Sequence, residues 1–224
     1  MARLARTTGT VDRSDLTARV LVAIPAAVLA ILMIAAGGPV FLAGLLLLGV
    51  LCLHELFAMF AVAKPSRLAG MLGLAGVLAA AHFGDADTVL LAFMATFPVV
   101  FLLVALQAGG GGAPAISVTV LGIAWVGLAL AHAILLRQFD HGAALIVAAA
   151  LGTFIGDTGA YLGGRLFGRT KLAPAISPNK TVEGLVIGLV TCVAVVWYVG
   201  LSNRDWMGGQ DGALLGLAIG IAAP

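Results

Sequence analysis

An aspartate interrupts an apolar stretch, IVAAALGTFIGDTGAYLGGRLFG, which runs from Ile146 to Gly168. Ionisable side chains are rare inside membrane-spanning segments and usually mark a functional site, so Asp157 is a candidate for chemistry. The structural alternative is an acid that pairs with an arginine or a backbone donor to hold helices together. On a helix, residues four apart share a face. One such row is polar or amphipathic: Thr153, Asp157, Tyr161, Arg165 and Arg169.

The neighbouring row on this helix contains only small residues: Gly152, Gly156, Ala160, Gly164 and Gly168. Small residues at this spacing allow another helix to approach closely within a membrane. The sequence therefore predicts a packing stripe beside a polar stripe, and the polar stripe runs toward a basic end.

A polar turn, GRTKLAPAISPNKTVEG, follows between Gly168 and Gly184. Its two prolines prevent one continuous helix. Two helix starts fit the pattern: Ser177 as an N-cap followed by Pro178, or Thr181 as the N-cap. Either start predicts a helix that begins near residues 179–182 with its N-terminus facing the cytoplasm.

The residue types around this helix start suit a bound phosphate. A helix N-terminus carries free N–H groups and a partial positive charge. Lys180 adds a point charge, and Arg165, Arg169 and Lys171 could surround further phosphate oxygens. Together with the Asp157 carboxylate, these groups would suit a magnesium-bound polyphosphate, whose transfer needs mainly alignment and charge stabilisation. The alternative is a basic loop that only sets topology.

The elements that must position these residues are membrane helices. The chain of 224 residues is 62% hydrophobic and 10% charged, against roughly 45–50% and about 25% in soluble domains. Eight apolar stretches predict an all-α, polytopic transmembrane bundle with about seven complete spans and a partial eighth. Their limits are 19–36, 40–63, 68–83, 88–106, 117–136, 142–164, 182–201 and 212–224.

Basic residues are distributed unevenly among the predicted loops. With the N-terminus inside, ten lysines and arginines fall on the cytoplasmic side and two on the other, which predicts a cytoplasmic N-terminus. We divide the chain into a cytoplasmic segment (1–18), an N-terminal transmembrane region (19–140) and a catalytic transmembrane region (141–224). The small net charge of +2 gives no indication of nucleic-acid binding. Cys52 and Cys192 lie in apolar runs and are interpreted as core residues.

The segment from Gly156 to Gly184 resembles the central region of the phosphatidate cytidylyltransferase (CDP-diacylglycerol synthase) family. It has that family's Asp, its Ala-Tyr pair, a Gly-rich helix end closing in Phe-Gly, and a Ser-Pro-x-Lys-Thr-x-Glu-Gly turn. The resemblance implies an enzyme of phospholipid biosynthesis that converts CTP and phosphatidic acid to CDP-diacylglycerol and pyrophosphate. It also implies Mg²⁺, an integral protein of the inner membrane with its active site facing the cytoplasm, and a homodimer.

The resemblance also implies roles for individual residues. Asp157 would be the metal ligand, and Asp157 and Lys180 the catalytic residues. The substrate-binding set would be Tyr161, Arg165, Arg169, Lys171, Ser177, Asn179, Thr181 and Glu183. Within it, Ser177, Asn179 and Thr181 would line the nucleotide phosphates with Lys180, while Glu183 would orient Lys180 or cap the helix. Asn179 stands where the family frequently has a lysine.

The resemblance has one large gap. The family's second signature, with further metal-binding acids and basic residues nearer the C-terminus, is not found in this sequence. We therefore expect that the chain lacks part of the active site, binds CTP weakly and turns over poorly.

Other functions fit parts of the pattern. A CTP-dependent polyprenol or lipid kinase would use a related pocket but transfer the γ-phosphoryl group, and a CDP-archaeol synthase is a close variant. An ion-coupled transporter would use Asp157 and Glu55 as coupling sites. Against a transporter, the polar residues continue into a cytoplasmic loop rather than along a path to both sides. A non-catalytic scaffold would leave the polar turn at 177–183 unexplained.

Overall fold

The computed structural model describes residues 13–107, 111–175 and 177–222, without the side chains of 13–20 and 22. Their helices are α1 (Arg13–Ala36), α2 (Gly38–Met59), α3 (Arg67–Phe83), α4 (Ala86–Leu106), α5 (Gly112–Gly122), α6 (Ala129–Arg137), α7 (Gly142–Phe167), α8 (Val182–Ser202) and α9 (Gly209–Ala222). A 3₁₀ turn spans Ala61–Ala63, a π-helical turn (Ile123–Leu128) joins α5 to α6, and a hairpin of β1 (Lys171–Ala173) and β2 (Ser177–Thr181) connects α7 to α8.

Five helical segments are long and apolar enough to cross a membrane: Gly38–Met59, Ala86–Leu106, Gly112–Arg137, Gly142–Phe167 and Val182–Ser202. Three shorter apolar helices cover Ala23–Ala36, Arg67–Phe83 and Gly209–Ala222. The predicted all-α membrane bundle is confirmed in this coarse form, and the helices lie where the eight apolar stretches placed them. The number of complete spans and the side of the N-terminus stay predictions.

Side-chain caps explain where several helices begin. The Oγ of Ser66 accepts a hydrogen bond from the Ala69 N–H at the start of α3. At the start of α4, the Asp85 carboxylate accepts hydrogen bonds from the backbone N–H (2.9 Å) and hydroxyl (2.7 Å) of Thr88. These two bonds lower the pKa of Asp85, because they stabilise its ionised form.

The helices pack in two groups. Helices α2 to α6 enclose the main hydrophobic core, whose largest fully buried side chains include Phe57, Leu53, Leu74 and Ile123. Helices α7, α8 and α9 pack against one another as consecutive antiparallel neighbours. The candidate site residues lie in this second group and in the hairpin that it carries.

The hairpin between α7 and α8 is a departure from the sequence prediction. Strands β1 and β2 pair antiparallel, with Lys171 opposite Thr181 and Ala173 opposite Ser177. The helix start at Ser177 and Pro178 is therefore wrong, since both residues belong to β2. Thr181 is the N-cap instead, because its Oγ1 accepts a hydrogen bond from the Gly184 N–H at 3.1 Å.

Candidate active site

Helices α7 and α8 approach each other backbone to backbone along the predicted packing stripe. A Cβ atom added to Gly156 would lie 3.1 Å from the Cβ of Cys192, and one added to Gly184 would lie 2.7 Å from the Ala160 carbonyl oxygen. Ordinary contact begins at about 3.4 Å, so a side chain at Gly184 would clash with the backbone of α7, and one at Gly156 would require Cys192 to move by a few tenths of an ångström. The packing stripe predicted from the sequence is confirmed, and it brings the polar face of α7 beside α8.

A cavity of about 670 Å³ lies along this helix pair. Four of the five polar residues on the predicted stripe line it: Thr153, Asp157, Tyr161 and Arg165. Arg169 does not, because α7 ends at Phe167 and the chain turns away before reaching it. The hairpin closes one end of the cavity with Ser177, Asn179, Lys180 and Thr181. Residues more than twenty positions apart in the chain thus share one cavity, with Asp157 and Lys180 among them.

Asp157 is available for a ligand. Its side chain is exposed, and among the described residues it accepts no hydrogen bond and forms no ion pair. The structural role considered for it, pairing with an arginine or a backbone donor, is therefore not observed in the described part of the chain. An acid that faces a cavity within a membrane helix, with no partner among the described residues, is a candidate ligand for a cation or a cationic group.

Two cations line the same cavity, Arg165 and Lys180, and both are exposed. The guanidinium of Arg165 donates to the Tyr161 hydroxyl at 3.5 Å, a long contact that leaves most of its donors unused. With one acid against two cations, the lining carries a net positive charge. Such a cavity suits an anion that also brings a cation to Asp157.

The start of α8 contributes less to anion binding than the sequence predicted. The Val182 N–H donates to the Thr170 carbonyl oxygen (3.0 Å), and the Gly184 N–H donates to Thr181. Two of the first three N–H groups of the helix are therefore already used within the protein. The helix still presents its positive dipole end, but direct hydrogen bonds to an anion must come mainly from side chains such as Lys180, Asn179 and Ser177.

Three of the predicted substrate-binding residues lie outside the cavity lining: Arg169, Lys171 and Glu183. The carboxylate of Glu183 accepts hydrogen bonds from the backbone N–H groups of Arg169 (3.1 Å) and Thr170 (3.2 Å). It therefore ties the turn after α7 to the first turn of α8. No hydrogen bond to Lys180 is found among the described residues, so a part in orienting Lys180 stays a prediction.

The donor set can be compared with what a metal ion requires. Within the described residues, no group of three or more His, Cys, Asp or Glu side chains is placed to hold an ion. Asp157 is the one carboxylate in the cavity lining of the described chain. This set fits Mg²⁺, which is commonly held by one or two carboxylates and completes its shell with water and substrate phosphates. It does not form an all-protein cage.

The residues of the opposite wall of the cavity were not predicted from the sequence. Leu185, Leu189 and Cys192 of α8 line it, together with Leu172 of β1 and Gly220 of α9. Cys52 and Cys192 were both predicted as core residues; Cys192 is buried at 2% exposure, whereas Cys52 is exposed, so the prediction is wrong for Cys52. The spacing of the three α8 residues, four and then three, places them on one helix face. The same spacing occurs on any buried or lipid-facing apolar helix face, so it does not distinguish a cavity wall from those faces.

Comparison with known proteins gives partial matches to enzymes. A phosphatidate cytidylyltransferase of Staphylococcus saprophyticus is 47% identical over 73 residues, which are 33% of this chain and 27% of the relative. One of Staphylococcus haemolyticus is 37% identical over 89 residues (38% of this chain, 34% of the relative), and one of Haemophilus influenzae is 36% identical over 72 residues (32% and 25%). The matched segments span about a quarter to a third of these relatives' own length. No solved structure matches the chain.

A family model covers far more of the chain than these pairwise matches do. The model described as the cytidylyltransferase family matches residues 17–224, which include every residue of the cavity. Because this match extends over nearly the whole sequence, the chain belongs to the cytidylyltransferase family.

Proposed function

We propose that the protein containing this chain transfers the cytidylyl group of CTP to phosphatidic acid, yielding CDP-diacylglycerol and pyrophosphate. The observation that carries the proposal is the single cavity shared by Asp157, Arg165 and Lys180 along membrane helices. It offers an acid for a metal-bearing substrate and two cations for phosphate oxygens. Family membership and the names of the partial relatives support the same reaction.

The substrates supply the reacting atoms, and the protein supplies the groups that bind and stabilise them. An oxygen of the lipid phosphate attacks the α-phosphorus of CTP, a new P–O bond forms, the bond to the β-phosphate bridging oxygen breaks, and pyrophosphate leaves. Lys180 and Arg165 hold the triphosphate and offset the negative charge that develops on the leaving group. Asn179, Ser177 and Thr181 supply neutral hydrogen bonds around it, and Tyr161 shapes the mouth of the cavity beside Arg165.

Asp157 would hold Mg²⁺, which when bound would supply positive charge to offset the negative charge of the phosphates. Asp157 and Lys180 are the catalytic residues in this proposal, because each lines the cavity in which the reacting phosphates would lie. Arg169 and Lys171 would raise the local positive potential from the turn outside the cavity.

Further features of the proposal concern the whole protein. The N-terminus and the hairpin would lie on the cytoplasmic side of the inner membrane, as the distribution of lysine and arginine predicts. The chain would cross the membrane about seven times with a partial eighth span. Segment 1–18 would be cytoplasmic, 19–140 would serve packing, and 141–224 would carry the catalytic region. The family resemblance also implies that the protein forms a homodimer.

Labelled CTP tests the reaction type. Membranes containing the full protein are supplied with phosphatidic acid, Mg²⁺ and CTP labelled at either the α- or the γ-phosphate. We expect label from the α-phosphate to enter the lipid fraction and label from the γ-phosphate to leave as pyrophosphate. Transfer of γ-label to a lipid would instead establish the kinase alternative, and transfer of neither label would refute both.

A further inference from the structure

The turn between α7 and α8 carries two cations that the cavity does not use. Arg169 and Lys171 are both exposed, and both lie outside the cavity lining. Within the described residues, neither side chain forms a hydrogen bond or an ion pair. The carboxylate of Glu183 binds the backbone N–H groups of Arg169 and Thr170, not the two cationic side chains. The turn therefore presents two positive charges that have no partner in the described part of the protein.

This turn lies at a membrane surface. Helices α7 and α8 are both long and apolar enough to cross a membrane, so the segment that joins them lies where both spans end. Helix α7 has 26 residues, or about 39 Å at 1.5 Å per residue, whereas the hydrocarbon core of a bilayer is about 30 Å thick. Its ends therefore extend to the headgroup region. The last two residues of α7, Leu166 and Phe167, are 72% and 63% exposed, so apolar side chains adjoin the two cations.

Hydrogen bonds of the backbone connect this turn to the cavity wall. Glu183 ties the turn to the first turn of α8, and the Val182 N–H donates to the Thr170 carbonyl oxygen at 3.0 Å. Lys171 pairs with Thr181 across the hairpin, and neighbouring strands lie about 4.8 Å apart. Because Thr181 lines the cavity, a ligand held at Lys171 lies one strand away from the cavity wall.

We infer that Leu166, Phe167, Arg169 and Lys171 form a docking surface for the anionic headgroup of a bilayer phospholipid that is not the substrate. Charge complementarity selects the headgroup, since basic residues beside a membrane attract anionic lipids. The exposed apolar pair favours a lipid over a soluble phosphate, which gains nothing from contact with leucine or phenylalanine. A bound headgroup restrains the hairpin and with it one end of the cavity. The lipid contact stands apart from the proposed function, whereas its importance for catalysis rests on that function.

Removal of the two charges tests this surface in the full protein. Dioleoyl phosphatidylglycerol is titrated into the protein in neutral detergent, and the bound lipid is counted by native mass spectrometry. Each basic residue near an anionic lipid surface contributes about fivefold in affinity, so Arg169→Gln combined with Lys171→Gln should weaken phosphatidylglycerol binding about 25-fold. Exchange of the two cations, Arg169→Lys with Lys171→Arg, keeps both charges and should keep the affinity of the wild type.

Two exposed arginines elsewhere supply a charge-matched control. Arg67→Gln combined with Arg204→Gln removes the same two charges from the start of α3 and from the turn between α8 and α9, and should leave phosphatidylglycerol binding close to that of the wild type. Equal weakening by the two double variants would overturn the docking surface. Unchanged affinity in the variant of Arg169 and Lys171 would also overturn it, and would favour a basic loop that only sets topology.

Hydrogen exchange tests the effect of the lipid on the hairpin. In nanodiscs, replacing part of the phosphatidylcholine by phosphatidylglycerol should slow amide exchange at residues 169–173 and 177–181 in the wild type and in the control, but not in the variant of Arg169 and Lys171. Exchange in the wild type that does not respond to phosphatidylglycerol would overturn the restraint of the hairpin.

Neither measurement contains CTP, so the docking surface and the proposed function can fail separately. Phosphatidylglycerol binding that depends on Arg169 and Lys171, in a protein that transfers no cytidylyl group, would uphold the surface and refute the proposed function. Cytidylyl transfer by a protein whose phosphatidylglycerol binding does not depend on these two residues would refute the surface and uphold the function.

Discussion

The close crossing of α7 and α8 makes Gly184 the most informative position for a packing test. In Gly184→Ala, the new Cβ would lie 2.7 Å from the Ala160 carbonyl oxygen, 2.9 Å from Thr181 Oγ1 and 3.1 Å from the Gly164 Cα. Two of these neighbours are backbone atoms that no side-chain rotation can remove. The helices must separate locally by about 0.7 Å, the difference between 2.7 Å and the 3.4 Å of ordinary contact.

Overpacking of this kind typically lowers the free energy of unfolding by about 1–3 kcal/mol, while the higher helix propensity of alanine over glycine raises it by about 1 kcal/mol. Gly76→Ala isolates the second contribution, because nothing lies within 4 Å of a Cβ at Gly76 in α3. We expect the free energy of unfolding, measured by SDS titration in mixed micelles, to be about 1–3 kcal/mol lower for Gly184→Ala than for Gly76→Ala. CTP binding should weaken only in Gly184→Ala, since that substitution displaces the hairpin end of the cavity. Equal stability of the two variants would refute the close crossing.

Two further substitutions test individual roles. Asp157→Asn should abolish cytidylyl transfer. It should leave the thermal stability in detergent unchanged, because the carboxylate makes no hydrogen bond or ion pair in the described structure. Near-normal turnover would contradict the catalytic role of Asp157. Glu183→Ala should raise the hydrogen-exchange rates of the Arg169 and Thr170 amides, and it should also raise the KM for CTP. Glu183→Gln keeps an acceptor oxygen, so its exchange rates and its KM for CTP should be close to those of the wild type. Equal loss of activity in the two variants would indicate that the charge of Glu183 itself acts in the reaction.

The helices and their stripes follow from local rules that a sequence carries. A period of about four residues places Asp157, Tyr161 and Arg165 on one face whatever the neighbours are. The row of small residues beside them predicts close packing because no larger side chain would permit it. The long apolar runs predict membrane helices, because the length and composition of a segment decide whether it can cross the hydrocarbon core of a bilayer.

The hairpin could not be predicted in this way. Strands of three and five residues have no strong signal of their own, and β1 and β2 are stabilised by each other and by Glu183. The role of Glu183 depends on backbone N–H groups thirteen and fourteen residues away, which side-chain identities do not reveal. The apolar wall of α8 was missed because leucines that line a cavity and leucines that face lipid have the same periodicity.

The proposed function depends above all on one cavity, between α7 and the hairpin, that would hold the triphosphate. Lys180 lines this cavity, whereas Lys171, an exposed lysine of the same hairpin, does not. The direct test is the equilibrium binding of labelled CTP with Mg²⁺ to the full protein and to Lys180→Ala and Lys171→Ala. We expect the Kd for CTP to rise at least about tenfold, or about 1.4 kcal/mol, in Lys180→Ala and to stay within about twofold of the wild type in Lys171→Ala. Unchanged CTP binding in Lys180→Ala, or equal weakening in both variants, would contradict the proposed CTP site.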